Sequence, residues 1–354
     1  MLHAELIDAY TYNTSLHCKK FLTCCKIVLI FIGLNAQSSG PVETKALSLT
    51  MSAPIKINRE TEGTILALFS AALWGVFPVV VNRGSHHIQP LFFAAVSTLL
   101  AAAGSLGYAA FKGKLIELKN RKSYADLCMI TLCIVIIPYT LFFIGAGKTS
   151  GINTSLLLLS EIIFTLLFTP FIGEKTTIEK LIGAFGVFCG AAFILYRGSF
   201  QLNTGDILVI LSTATYPVGN FYAKKALALV SPSVILLVRF FLGGLFLLLL
   251  SVFMETPPAM GAVIVKNWPL LLLTGLVFLG AGKIVWYEAL DRLDISKAIS
   301  LSMTFPLFSL IVLTGLYKET ISPQQAVGIA VMMVGVFFSA RRSSVDPATT
   351  KYSR

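Results

Sequence analysis

LCMITLCIVIIPYTLFFIGAG, residues 127–147, carries no charged side chain over 21 positions. A helix of that length rises far enough to cross the ~30 Å hydrocarbon core of a bilayer. Asp126 and Lys148 bracket it, so charge stops where the apolar run begins and ends. The run from Thr320 to Ala340 is also free of charge. Outward from these two, stretches of about 20 mostly apolar residues recur from Gly63 onward, separated by short polar breaks. Ten spans are predicted, at roughly 63–83, 90–111, 124–145, 151–172, 178–196, 205–224, 232–254, 267–289, 297–317 and 321–340. The fold class that follows is an all-α membrane protein.

Composition agrees with that reading. Of the 354 residues, 56% are hydrophobic and 13% charged, and mean hydropathy is +0.81. A water-soluble chain so poor in charge could not cover its own surface. The formal charge of +11 invites a nucleic-acid reading, but the basic residues lie in short loops between apolar runs rather than along one groove, so no nucleic-acid partner is expected. Cys18, Cys24, Cys25, Cys128, Cys133 and Cys189 form no CxxC pair, and His3, His17, His86 and His87 all lie outside the spans. Neither a disulfide framework nor a metal site is read from them. No Gly-rich phosphate loop with Lys-Ser/Thr is present, so no ATP-driven pump and no cofactor are expected.

Loop charges set the orientation. With ten spans both termini share one side, and the loops on that side hold 17 Lys and Arg against 5 opposite. Positive loops stay cytoplasmic, which predicts a multi-pass membrane protein with both ends in the cytoplasm. Residues 1–62 fall outside the pattern. The run Phe21 to Leu34 is too short to span and is interrupted by Lys26, so 1–62 is read as an unstructured extension, with Met51 as a candidate native start and 1–50 as not native. Residues 342–354 are read as a cytoplasmic tail.

The two halves repeat. At an offset of 142, Gly63 falls on Gly205, Ile65 on Ile207, Ser70 on Ser212, Trp74 on Tyr216 and Pro90 on Pro232. At an offset of 145, Ser155 falls on Ser300, Thr169 on Thr314, Glu174 on Glu319, Gly183 on Gly328 and Gly190 on Gly335. The repeats are therefore 63–197 and 205–341, five spans each. An odd number of spans inverts the second copy in the membrane. Inverted repeats typically enclose a midplane site and expose it alternately to the two sides.

The run Leu68 to Trp74-Gly75, the pattern Thr149 to Glu174 followed by Gly183 and Gly190, and the second-copy pattern Ser296 to Pro306 with Glu319, Gly328 and Gly335 resemble the EamA repeat of the drug/metabolite transporter superfamily. The resemblance covers Gly63 to Arg342. It implies a ten-helix inner-membrane carrier that moves small metabolites, often outward, and it does not name the solute. One departure stands out: where the second copy has Pro306, the first has Glu161. That leaves the symmetry of the central helix pair open.

Candidate site residues are the expensive ones. An ionised side chain mid-bilayer costs about 2.5–3.5 kcal/mol on insertion scales, which Glu161 in the fourth span must justify. A substrate-amine site or a proton-coupling carboxyl is the functional reading, and a hydrogen bond to a neighbouring helix is the bland one. Lys283, in the eighth span, either meets a substrate carboxylate or phosphate or reaches the inner headgroups. Arg239 is read as snorkelling, because its repeat mate is the neutral Ser97. Trp74, Tyr139, Tyr216, Trp286 and Tyr287 are candidate lining aromatics, and Trp268 an interfacial one. Pro138 and Pro306 can free a backbone carbonyl for solute, whereas Pro78 and Pro217 are read as packing kinks. Glu174 and Glu319 are read as helix-terminal caps. Gly186 and Gly190 form a GxxxG read as intramolecular packing, with a homodimer as the alternative.

The leading function is a secondary transporter, an exporter of small organic metabolites such as amino acids, whose partners are the solute and the lipid bilayer. An intramembrane enzyme acting on lipid-linked substrates would need a polar catalytic cluster at membrane depth, and only Glu161, Lys283 and Arg239 are offered. A non-transporting scaffold has no use for a buried acid.

Overall fold

The computed structural model describes residues 59–172, 178–195, 203–255, 260–293, 301–302 and 304–340. The extension to residue 58, Glu174, Arg197 and the tail from 342 lie outside the described residues. Among those described, every regular element is a helix. Six helical segments are long and apolar enough to cross a membrane: Glu60–Ser85, Pro90–Phe111, Arg121–Ala146, Gly151–Phe168, Pro232–Met254 and Gly261–Ala289. Leu181–Phe193, Phe305–Gly315 and Pro323–Phe338 are shorter apolar helices.

In chain order the α-helices are α1 (Arg59–Ser85), α2 (Pro90–Phe111), α3 (Tyr124–Ile130), α4 (Ile137–Ala146), α5 (Gly151–Leu156), α6 (Glu161–Phe168) and α7 (Ile178–Leu195). The second half holds α8 (Thr204–Ser212), α9 (Tyr216–Ala226), α10 (Pro232–Met254), α11 (Met260–Leu272), α12 (Gly282–Arg292), α13 (Phe305–Gly315) and α14 (Pro323–Ala340). Several apolar runs are thus split. A π-helical turn, Thr131–Ile136, joins α3 to α4, and another, Leu273–Ala281, joins α11 to α12. Their first residues differ by the repeat offset, since 131 and 273 are 142 apart. π-turns inside helices concentrate at functional sites.

Pairs of helices from opposite halves run antiparallel. α2 and α10 both begin with proline, whose missing N–H costs nothing at a first helical position. The next donors of α2, the amides of Leu91 and Phe92, give hydrogen bonds of 2.7 and 2.9 Å to the carboxylate of Glu255, which follows the C-terminus of α10. At the other end Glu117, beyond the C-terminus of α2, accepts from the Ser231 amide at 2.5 Å, next to the start of α10. Each helix is capped by an acid that follows its partner, which only an antiparallel pair permits. Burial pushes the Glu117 carboxyl up, but the hydrogen bonds from Ser231 and the Lys114 ammonium outweigh it and hold the group below its ordinary value. Its contribution to stability is therefore complete above the ordinary carboxylate range and is lost as pH falls through the lowered value. Glu255→Ala is expected to cost about 1–2 kcal/mol, the usual worth of an N-cap. A lower thermal unfolding midpoint, partly restored in Glu255→Gln, checks this.

α7 and α14 form a second such pair. A Cβ on Gly186 would meet Gly335 Cα at 2.8 Å, and one on Gly190 would meet the Gly328 carbonyl at 2.7 Å. The GxxxG of α7 is thus filled by glycines of the same chain. Glu319 is not the cap of α14, contrary to expectation. Ser322 and Gln325 cap that helix, the Ser322 amide donating to Gln325 Oε1 at 3.0 Å and the Gln325 amide to Ser322 Oγ at 3.2 Å. Glu319 instead pairs with Arg83 at the end of α1, and the Arg83 guanidinium also stacks 4.6 Å from the Tyr317 ring.

Candidate functional site

α1 is the hub of the first half. It packs on α12, where Ser70 Oγ donates to the Gly282 carbonyl at 3.4 Å, and on α13, where Ser309 Oγ donates to the Gly75 carbonyl at 2.6 Å. Its counterpart in the second half is the broken helix α8–α9. That element packs on the α3–α4 run, with Thr215 Oγ1 donating to the Cys133 carbonyl at 2.8 Å, and on the fourth apolar run through a 2.9 Å bond between Ser160 and Thr213. Each of these elements packs on the opposite half.

Between these hubs lies a cavity of ≈ 30 Å³ lined by Trp74, Phe77, Phe142, Leu158, Glu161, Tyr216 and Phe305. It is roomy enough for a water or two and too small for an amino acid. Residues from both halves line it. Trp74 sits halfway along α1, and Tyr216 opens α9 immediately after the turn at residues 213–215. Glu161 opens α6 after the 3-10 turn Leu157–Ser160, where Ser160 Oγ returns a 2.7 Å bond to the Leu157 carbonyl. Side-chain return bonds of this kind loosen or bend a helix. The first half thus turns its helix at Ser160 without a proline, whereas in the second half Pro306 sits at the start of α13.

The aromatic wall is continuous. Trp74 stacks on Phe77 at 4.8 Å, and Phe77 stacks on Phe142 at 5.8 Å and meets Phe278 edge-on at 6.3 Å. Lys283 does not run to a headgroup level. Its Nζ lies 3.6 Å from the centre of the Trp74 ring, a cation–π contact at the cavity wall. Glu161 accepts a 3.4 Å hydrogen bond from Asn220 Nδ2 and lies within electrostatic reach of Lys283.

Of the candidate residues read from the sequence, Glu161, Trp74 and Tyr216 line the cavity, and Lys283 touches its wall. Tyr139 is 2% exposed, packed against Phe143, and lies within electrostatic reach of Arg239 and Tyr216. Pro306 is buried one position beyond the lining Phe305. Trp286 packs instead with Ala67, Ala289 and Leu293, and Tyr287 against the main core. Trp268 is exposed, as expected of an interfacial residue. Arg239 does not snorkel: it is 4% exposed, with its guanidinium 4.7 Å from the Phe240 ring. Its repeat mate Ser97 gave no sign of this, because equivalence by offset says nothing about the neighbours a side chain meets.

A second polar cluster was not anticipated. Asn82 Nδ2 donates to the Ala146 carbonyl at 2.6 Å and to the Thr149 carbonyl at 3.0 Å. Asp206, 3% exposed, accepts from Asn153 Nδ2 at 2.9 Å and from the Thr149 hydroxyl. These groups tie the end of α1 to the α4–α5 connection and to the start of α8. The signal that could have found it is Asp206 itself, an acid in the first turn of an apolar helix.

The EamA-like transporter family matches residues 61–196 and, a second time, 203–341. The chain belongs to that family. The two matches cover the two halves whose contacts exchange. Among relatives, the uncharacterized transporter YoaV of Bacillus subtilis is 24% identical over 285 residues, covering 78% of this chain and 96% of its own. A probable amino-acid metabolite efflux pump of Salmonella typhimurium is 24% identical, covering 77% of this chain and 93% of its own, and its Escherichia coli namesake is 22% identical. One solved crystal structure shares the fold, with a TM-score of 0.58 at 14% identity over 79% of this chain and 96% of that one. The protein is a multi-pass membrane protein of a transporter family, with a small-molecule solute and membrane lipid as its partners.

Proposed function

We propose that this EamA-like protein is a secondary transporter that exports small organic metabolites, such as amino acids, by alternating access to the chamber between its two repeats. Ten membrane spans, with both termini in the cytoplasm of a cell whose inner membrane it occupies, complete the reading. The observation that carries it is the placement of Glu161 in a chamber lined from both halves, with Lys283 at the wall. The Lys283 ammonium at the wall of a shared aromatic cavity matches the carboxylate of an amino acid, and Glu161 in the same lining is the group placed to take up a proton. The cavity is too small to admit such a solute as it stands, so binding requires α1 and α8–α9 to separate from their partners. The Asn82–Thr149–Asp206 cluster and the Arg83–Glu319 pair join elements of both halves at one end, and they are the contacts that opening on that side must break. Proton uptake at Glu161 is the coupling step in this scheme, because neutralising the carboxyl removes the cost of carrying a charge across the hydrocarbon.

Two relatives described as probable amino-acid metabolite efflux pumps support an amino-acid-like solute. The test is a comparison of compounds excreted by cells with and without the protein, followed by counterflow of the enriched compounds in proteoliposomes. Enrichment and saturable counterflow are expected. A protein that inserts normally and moves none of the compounds would contradict transport and return weight to an enzyme or scaffold.

A further inference from the structure

We propose that the solute must carry an anionic group, and that Arg239 on α10, together with Lys283 on α12, is the pair that binds it. The inference rests on the transport reading and narrows its substrate class.

Arg239 is seven residues into α10, roughly 10 Å along the helix at 1.5 Å per residue, and is 4% exposed. Among the described residues it makes no ion pair and no hydrogen bond, and its Nε is buried without a partner. What it has is the Phe240 ring at 4.7 Å. A guanidinium never sheds its charge in a protein, and it presents five donors in a fork that matches a carboxylate. Leaving such a cation buried and uncompensated is strongly destabilising, so the site demands an anion from elsewhere.

Among the described residues no carboxylate pairs with Arg239. Glu161 is the carboxyl of the cavity lining, and its electrostatic partners include Lys283, Asn220 and Tyr216. Arg239 lies within electrostatic reach of Lys283, Tyr139 and Tyr216, and Tyr216 lines the cavity. Among the described residues, two cations thus lie within electrostatic reach of each other and of two phenols, beside a cavity whose lining holds a single carboxyl. A solute carboxylate or phosphate neutralises the cations, while its apolar body lies along Trp74, Phe77 and Phe305. An amine without an acid group adds a third positive charge and is rejected.

A structural arginine and a solute-binding arginine respond oppositely to removal. If Arg239 only braces α10, Arg239→Gln lowers the melting temperature of the empty protein. If it waits for an anion, removing the unpaired charge leaves that temperature unchanged or raises it, and the response to anions disappears. The experiment uses the detergent-purified full chain and thermal stabilisation by six compounds: L-leucine and L-phenylalanine, isovalerate and 3-phenylpropionate, isoamylamine and phenethylamine. Stabilisation by at least one carboxylate-bearing compound and by neither amine is expected. Arg239→Gln should weaken it at least ~10-fold, about 1.4 kcal/mol, with Arg239→Lys intermediate. Amines that stabilise as well as the acids, no response to any acid, a fall in the empty protein's melting temperature, or undiminished affinity in Arg239→Gln would each overturn the proposal. The same compounds in proteoliposomes separate the two claims: flux of amines alone keeps the transporter and removes the anion requirement, whereas acid binding without flux does the reverse.

Discussion

Glu161→Gln in proteoliposomes is expected to abolish solute accumulation driven by a pH gradient while leaving solute–solute exchange intact. The amide keeps the size of the side chain and its hydrogen bond with Asn220, but it cannot take up and release a proton. Exchange needs only the loaded carrier to reorient, so it survives; net gradient-driven movement needs the empty carrier to return with its proton, so it fails. Because an ionised carboxylate at membrane depth costs about 2.5–3.5 kcal/mol, the variant should also melt no lower than the parent. Gradient-driven uptake that persists unchanged would remove Glu161 from coupling, and loss of exchange as well would assign it to solute binding instead.

The second large effect is expected at Gly75, where α1 lies against α13. A Cβ there would stand 2.3 Å from the Phe305 carbonyl oxygen and 2.8 Å from Phe308 Cβ. The first obstacle is backbone, which cannot rotate aside, and the Ser309 bond to the Gly75 carbonyl holds the helices at that distance. Gly75→Ala should cost about 1–3 kcal/mol, the usual price of overpacking, and Gly75→Val more. Phe305 also lines the cavity, so the wedge should reduce transport in whatever protein still folds. Gly107 on α2 is the control, since a Cβ there meets nothing within 4 Å. Gly107→Ala should be neutral or gain up to about 1 kcal/mol in helix propensity. Equal melting temperatures for Gly75→Ala and Gly107→Ala would mean that α1 and α13 do not pack closely.

Much of this architecture was legible because apolar runs and the offset of 142 depend only on local composition and register. The uncharged runs 127–147 and 320–340 are helical over 127–146 and 323–340, and Pro90 and Pro232 each open a helix in the two halves. Glu161 and Lys283 stood out because charge at membrane depth has to be justified. The breaks were less legible. The π-turns at Thr131 and Leu273 fall within uniformly apolar sequence, and the 3-10 turn before Glu161 depends on a serine bonding its own helix and Thr213 across the interface. Partners distant in sequence were not legible at all. Pairing of Glu319 with Arg83 and capping of α2 by Glu255 are set by which helix ends meet, and proximity to its own helix start made a cap the natural reading of Glu319. Arg239 was misjudged for the same reason: counting residues from the nearest helix end measures depth and says nothing about the direction in which a side chain points.

The proposed inversion of the two repeats makes one demand on topology. Lys119 and Gly261 are 142 positions apart and both exposed, and a Cβ on Gly261 meets nothing within 4 Å. In a chain whose native cysteines have been replaced, Lys119→Cys and Gly261→Cys can each be labelled with a membrane-impermeant maleimide in intact cells. Labelling of Gly261→Cys from outside, with Lys119→Cys labelled only after permeabilisation, is the expected result. Equal labelling of both from the same side would place the two copies parallel and contradict a shared chamber between inverted repeats.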